Sequence, residues 1–199
     1  MTVSYNDETL KYYNEKTTEF YDSTVCADLT LLYDRFLKEV CTGGKILDFG
    51  CGSGRDAKAF KDRGYEVEAI DGSVELCKLA SGYAGIEVRC IDFFDIKEKE
   101  KYDGIWACAS LLHIERKRLP EIIKLLRDAL VTNGVIYMSF KYGDFSGMRN
   151  ERYFTDLNEE LAKEIIEQID GLKNIDMWES YDVRREKDVR WLNLLLRKI

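Results

Sequence analysis

Apolar residues recur at helical spacing through the first forty positions. Leu10, Tyr13, Thr17, Phe20 and Thr24 share one face. After a break around Val25–Ala27, a second stripe follows: Leu29, Leu32, Tyr33, Phe36, Leu37 and Val40. Gly43–Gly44 ends it. From residue 45 short apolar runs alternate with helical ones. Lys45–Phe49, Tyr65–Asp71, Ile86–Asp92, Tyr102–Ser110 and Val135–Lys141 read as strands. Arg55–Arg63, Ser73–Ser81 and Pro120–Leu130 read as helices, the last with proline in its first turn. A polar, glycine-containing loop follows, then a helix over Leu157–Ile169. Asn174–Val183 and Arg190–Lys198 are two final strands joined by a charged loop.

The alternation predicts an α/β fold: seven strands, mostly parallel, with helices on both faces. The last two strands have no helix between them, so they pair antiparallel as a hairpin at one edge. An ordinary dinucleotide-binding sheet closes with a parallel strand. The expected organisation is one domain over residues 1–199, with a helical cap or lid (1–42) on a core (43–199).

Composition narrows the class. The 199 residues suit one domain that needs no disulfide or metal staple. Lys+Arg 30 against Asp+Glu 37 leaves −7, a poor balance for gripping duplex DNA or bulk RNA. No apolar run approaches the ~20 residues of a membrane span. The start, Met1–Glu8, is polar and acidic, unlike a signal peptide. Six cysteines lie scattered without a C-x-x-C pair, and the chain has one histidine, so no zinc site is expected. The cysteines read as reduced and mostly buried, and the protein as cytoplasmic.

The densest chemical signal is Ile46–Asp56, in which Gly50, Gly52 and Gly54 stand between an apolar strand and a helix. Glycines there let a ligand lie against bare backbone, and the helix presents free N–H groups. The loop lacks the lysine of a phosphate-binding P-loop. Arg55 stands where the dinucleotide pattern G-x-G-x-x-G wants its last glycine. Asp48, two residues before the first glycine, would repel a pyrophosphate and attract an amine or a sulfonium. Asp71, about 20 positions on, is placed to accept from two ribose hydroxyls. Asp92 could accept from an adenine amino group and Phe93 pack on its ring. Helix caps or strand-end turn residues are the alternative for Asp48 and Asp71; for Asp92, the nearby Asp95 could fill the role or cap a turn.

At these residues the chain resembles the class I S-adenosylmethionine-dependent methyltransferases. The matching segments are ILDFGCGSGRD (46–56), VEAIDGS (67–73), RCIDFFD (89–95), YDGIWACASLLHI (102–114) and ALVTNGVIYMSF (129–140), in family order and spacing. The loop GSGRD with ASLLHI and SFKYG is similar to the small tellurite-resistance-type methyltransferases. The resemblance implies that Gly50, Gly52 and Gly54 line the methionine part of the cofactor, with Asp48 near its amino group. Cys51, Ser53 and Arg55 belong to the same loop, and Gly72 and Ser73 flank the ribose acceptor Asp71. Asp92 and Phe93 would hold the adenine, and Ala107 to Ser110 the floor by the sulfonium.

The acceptor side is less determined. His113, after the fourth strand, could be a general base or a structural group. Lys141, Tyr142, Arg152 and Tyr153 surround the polar loop, which could set specificity or be solvated. Tyr12, Tyr13, Tyr21 and Thr24 could close a lid or fill a core. Methyl transfer needs alignment, and needs a base only when the nucleophile must first lose a proton. The segment after strand four lacks the Asn/Asp-Pro-Pro-aromatic run of amino-methylating DNA enzymes, and Cys108 follows alanine rather than proline. A small-molecule methyl acceptor is therefore expected. The competing readings are a non-catalytic cofactor- or partner-binding module and an NAD-type oxidoreductase.

Overall fold

The computed structural model describes residues 5–184 and 188–199. The first four residues of the acidic start and residues 185–187 of the charged loop lie outside the described residues. The first helical stretch is two helices, α1 (Tyr5–Glu15) and α2 (Thr17–Thr24), rather than one. Lys16 leaves helical geometry, at φ −107° and ψ 23°. The Thr17 hydroxyl donates back to the carbonyls of Tyr13 and Asn14, a local competition that sequence periodicity does not register. α3 (Thr30–Leu37) carries the second stripe and buries Tyr33 and Phe36.

The core elements are β1 (Lys45–Phe49), α4 (Arg55–Asp62), β2 (Glu66–Asp71), α5 (Val74–Ala84), β3 (Val88–Cys90), β4 (Tyr102–Ala107), α6 (Leu119–Ala129) and β5 (Leu130–Lys141). Next come β6 (Ser146–Arg149), β7 (Arg152–Thr155), α7 (Glu159–Ile166), β8 (Leu172–Tyr181) and β9 (Arg190–Lys198). The main sheet runs β3-β2-β1-β4-β5-β9-β8. β1 to β5 pair in parallel; β9 runs antiparallel between β5 and the edge strand β8. The final hairpin therefore sits at the sheet edge, with the last strand inside. No helix among the described residues is long and apolar enough to cross a membrane.

Both faces of the sheet are covered. On one, α6 packs Ile122, Ile123 and Leu126 with Ala162 and Ile165 of α7. On the other, Tyr33 and Phe36 of α3 meet Phe60 of α4, Trp106 and Tyr137. Each fully buried Leu, Ile or Phe contributes roughly 1.5–3 kcal/mol, which is why these strands read as continuous apolar runs. Gly54, at φ +79°, ends the loop before α4. A Cβ there would lie 3.0 Å from both the Cα and the carbonyl oxygen of Ala80 in α5. Gly54→Ala should therefore destabilise the fold by about 1–2 kcal/mol, from left-handed strain plus a backbone contact that cannot yield. A guanidinium midpoint unchanged from the wild type would refute this.

The segment expected to be a polar loop is a hairpin, β6–β7. Asn150 and Glu151 turn it with φ +49° and +62°. Two successive left-handed residues are the mark of a tight hairpin turn, but Asn-Glu lacks the glycine that signals one in a sequence. The cysteines also differ from expectation. All six are free, but Cys26, Cys41 and Cys90 are exposed.

Candidate active site

The order β2-β1-β4 reverses the direction of winding beside β1, and a crevice opens there at the carboxyl ends of the strands. It holds a cavity of about 560 Å³, within the range of small-molecule sites. From the glycine loop, Gly50, Cys51, Gly52, Ser53 and Arg55 reach its wall. Asp71 and Gly72 come from the end of β2, and Asp92 and Phe93 from the turn after β3. His113 and Lys141 line it from the other end. α1 and α2 close one side through Leu10, Tyr13, Phe20 and Thr24.

Asp71 is the best-defined polar group of the cavity beside the glycine loop. Its Oδ2 accepts from Gly52 N–H at 2.9 Å, and its Oδ1 from Ser73 N–H at 2.8 Å. An ionised carboxylate has about four lone-pair positions, so both oxygens can still accept from a diol. Burial pushes its pKa above the ordinary carboxylate value, against the pull of those amides. Gly50, at φ +77°, forms the cradle: a Cβ there would lie 2.4 Å from Ser110 Cβ and 2.9 Å from Phe93 Cζ. Phe93 stacks obliquely on Phe49, ring centroids 4.4 Å apart. The Asp92 side chain accepts from Phe94 N–H and so caps its own turn, at a position that still faces the cavity.

Other expected residues lie behind the wall. Asp48 is 1 % exposed and sits beneath the loop, where Ala57 N–H binds it and its Oδ2 has no hydrogen-bond partner. Burial, and then the charge of Asp56, raise its pKa well above normal. It does not face the cavity, although its place in the sequence suggested that it would. Ser73 caps α5, accepting from Leu76 N–H, and donates to Asn14 of α1. The cap is worth about 1 kcal/mol. The Ala107 side chain is fully buried at the end of β4. Tyr21 packs edge-on against Tyr83 instead of facing the cavity.

Arg55 has a fixed partner. It binds Asp56 at 2.6 and 3.0 Å, while Tyr33 and Trp106 donate to the same carboxylate. Burial opposes the Asp56 charge, but the Arg55 cation and these donors outweigh it and hold the pKa below normal. Beside it, burial and the Asp56 charge push the Cys108 thiol up to about 12, so it is not a thiolate at neutral pH.

His113 has an assignable tautomer. Its Nδ1 lies 2.6 Å from the carbonyl of Tyr153, which can only accept, so Nδ1 carries the hydrogen. Nε2 then accepts from the Tyr13 hydroxyl at 2.8 Å. Burial above all lowers its pKa to about 4, so the ring is neutral. Both of its nitrogens are thus engaged within the protein, and it ties α1 to β7. Sequence reading missed Asn193, buried in the middle of β9, which accepts from the Tyr137 hydroxyl at 2.6 Å and lines the cavity. An asparagine inside the apolar run WLNLLL is the signal that could have found it.

Residues 46–134 match the family model for a methyltransferase domain. The chain is 28 % identical over 189 residues to an uncharacterized methyltransferase of Staphylococcus carnosus, covering 86 % of this chain and 91 % of that one. Its fold matches the Burkholderia thailandensis 1,6-didemethyltoxoflavin-N1-methyltransferase, solved with 1,6-didemethyltoxoflavin and S-adenosylhomocysteine. The TM-score is 0.73 at 19 % identity, over 95 % of this chain and 84 % of that one. The [4+2]-cyclase SpnF matches equally, at TM-score 0.73 and 15 % identity over 94 % of both chains. The chain has the Rossmann-like fold of these structures, and its residues 46–134 are similar to a methyltransferase domain.

Proposed function

We propose that this protein transfers the methyl group of S-adenosylmethionine to a small-molecule acceptor by in-line displacement. The observation that carries the cofactor is Asp71, braced on the glycine-loop amide of Gly52 and facing the cavity beside the Gly50 cradle. When bound, the cofactor supplies an activated methyl on a positively charged sulfur that leaves as a neutral thioether. The protein's part is placement. Asp71 accepts from the ribose hydroxyls, Asp92 and Phe93 meet the adenine, and the bare backbone at Gly50 and Gly52 lies along the methionine chain. α1 to α3 act as the cap expected over residues 1–42, and the aromatic rings of α1 and α2 exclude water.

The acceptor enters on the side of Lys141, Arg152, Tyr137 and Trp191. An acceptor whose attacking atom already carries a lone pair needs no base, which fits a site whose only histidine is engaged on both nitrogens. Lys141 stays in the reading as an acceptor-side residue; Tyr21, facing Tyr83, does not. Nucleic acid is no part of it, given the net charge of −7. The segments GSGRD, ASLLHI and SFKYG support the small tellurite-resistance-type enzymes as nearer kin. The scattered cysteines support a reducing, cytoplasmic setting.

A fold shared with a cyclase makes turnover a separate question from binding. Calorimetric titration with S-adenosylmethionine, S-adenosylhomocysteine and NADH tests the first part. Micromolar binding of the first two and none of NADH is expected; binding of NADH alone would replace this reading with the oxidoreductase. A methyl-transfer screen then separates an enzyme from a binding module.

A further inference from the structure

The acceptor half of the cavity has a charge pattern of its own. Arg55 is paired with Asp56, and Arg184 with Asp182. Asp71 and Asp92 stand at the cofactor end. Lys141, from the end of β5, and Arg152, from the start of β7, both face the acceptor half. Both gather on one ring: the Lys141 Nζ lies 4.9 Å and the Arg152 guanidinium carbon 5.1 Å from the Phe154 centroid.

Arg152 is held in an unusual way. It makes no ion pair among the described residues. It donates to the Tyr13 hydroxyl at 3.3 Å, and its guanidinium carbon is 4.3 Å from the Tyr12 ring. Its Nε is buried without a hydrogen-bond partner. A half-buried guanidinium among phenyl rings loses hydration that those rings return only in part. A protein that places a cation there without a carboxylate leaves the counter-ion to the ligand. The neutral His113 beside it fits a positive neighbourhood, since Arg152 and Lys141 both add to the burial that keeps the ring unprotonated.

We infer that the acceptor is an organic anion whose carboxylate, or a phosphate of like charge, is held between Lys141 and Arg152. The reading rests on the methyltransferase function proposed above. Tyr13, Phe154, Tyr137 and Trp191 make the surrounding wall broad and aromatic. Such a wall fits a ring or chain attached to the anion better than a bare inorganic oxyanion. The guanidinium fork suits a planar carboxylate, with lysine as the second, point-like charge.

The test measures affinity for benzoate, 4-hydroxybenzoate and phenyl phosphate, each against a neutral isostere: benzamide, 4-hydroxybenzamide and benzyl alcohol. Each is titrated with and without saturating S-adenosylhomocysteine. At least one anion should bind about tenfold or more tightly than its isostere, and Lys141→Met should remove that preference while S-adenosylhomocysteine affinity stays unchanged. Arg152→Met should act in the same direction; because Arg152 also packs on Tyr12, its folding is checked by circular dichroism, and the wild-type comparison stands without it. Anions binding no better than their isosteres would overturn the inference. So would a large loss of S-adenosylhomocysteine affinity in Lys141→Met, which would assign the cations to the cofactor's own carboxylate. Sulfate or phosphate matching the organic anions would point to a bare oxyanion site instead. If S-adenosylhomocysteine fails to bind but the anion preference holds, the function proposed above falls and the anion site remains.

Discussion

Asp71→Ala is expected to weaken S-adenosylhomocysteine binding by about 10²–10⁴-fold. Two charge-assisted hydrogen bonds to a ribose, at roughly 1.5–3 kcal/mol each, give that range. The substitution also strips the Gly52 and Ser73 amides of their acceptor, so the loop loses its brace as well as its ligand contact. Asp71→Asn separates the two effects. An amide keeps one acceptor oxygen but turns its NH₂ toward one of those N–H donors, so binding should fall while the fold holds. The pH dependence follows from the buried carboxylate. Its pKa is raised, so it takes up a proton at a higher pH than an exposed aspartate. Cofactor affinity should therefore drop on acidification before exposed aspartates titrate, and this step should vanish in Asp71→Asn. Calorimetry across pH, with melting curves for each variant, measures all three. An Asp71→Ala protein that binds S-adenosylhomocysteine as the wild type does would remove the central support for the cofactor site.

What the sequence disclosed and what it hid divide along a physical line. The parallel strands are buried on both faces, so Ile46–Phe49 and Val135–Phe140 read as apolar runs that only a covered sheet accommodates. Arg190–Lys198 has the same bounds in sequence and structure, and its antiparallel pairing with β8 follows from the missing crossover helix. The glycine loop was legible because close backbone approach demands glycine at fixed positions. Features held by long-range polar contacts were not legible. Nothing near Asp56 in sequence announces Tyr33 and Trp106, 23 and 50 residues away, which complete its shell. Asp48 shows the reverse error. Its place before Gly50 suggested an anion facing a ligand, but the chain folds over it, and burial, then the Asp56 charge beside it, raise its pKa. The β6–β7 hairpin was hidden because its strands alternate weakly and its turn lacks glycine. That matters for function, since β7 brings Arg152 to the cavity and lends the Tyr153 carbonyl to His113.

His113 should make stability fall as the solution is acidified, and the sign can be worked out. Its ordinary pKa is 6.5; in the folded protein burial, against the pull of the Tyr153 carbonyl, lowers it to about 4. Above about pH 6.5 neither the folded nor the unfolded chain protonates it, and its contribution is fully present. Between 6.5 and 4 the unfolded chain takes up a proton that the folded ring refuses, so stability is lost progressively. Over two pH units this amounts to roughly 2–3 kcal/mol. Protonation would also place a hydrogen on Nε2, so the Tyr13 hydroxyl would have to turn from donor to acceptor in the bond that ties α1 to the core. Asp48 and Asp71 act in the opposite sense, because their raised pKa values favour the folded state on acidification. The wild-type profile alone therefore mixes the two. His113→Gln isolates the histidine: a neutral amide can donate to the Tyr153 carbonyl and accept from Tyr13 at any pH. Guanidinium unfolding at pH 7.0 and 4.5 should show the wild type losing about 2–3 kcal/mol more than His113→Gln. Equal losses in the two proteins would mean that the ring is already charged in the fold, and with it would go the engaged, neutral histidine on which the base-free mechanism rests.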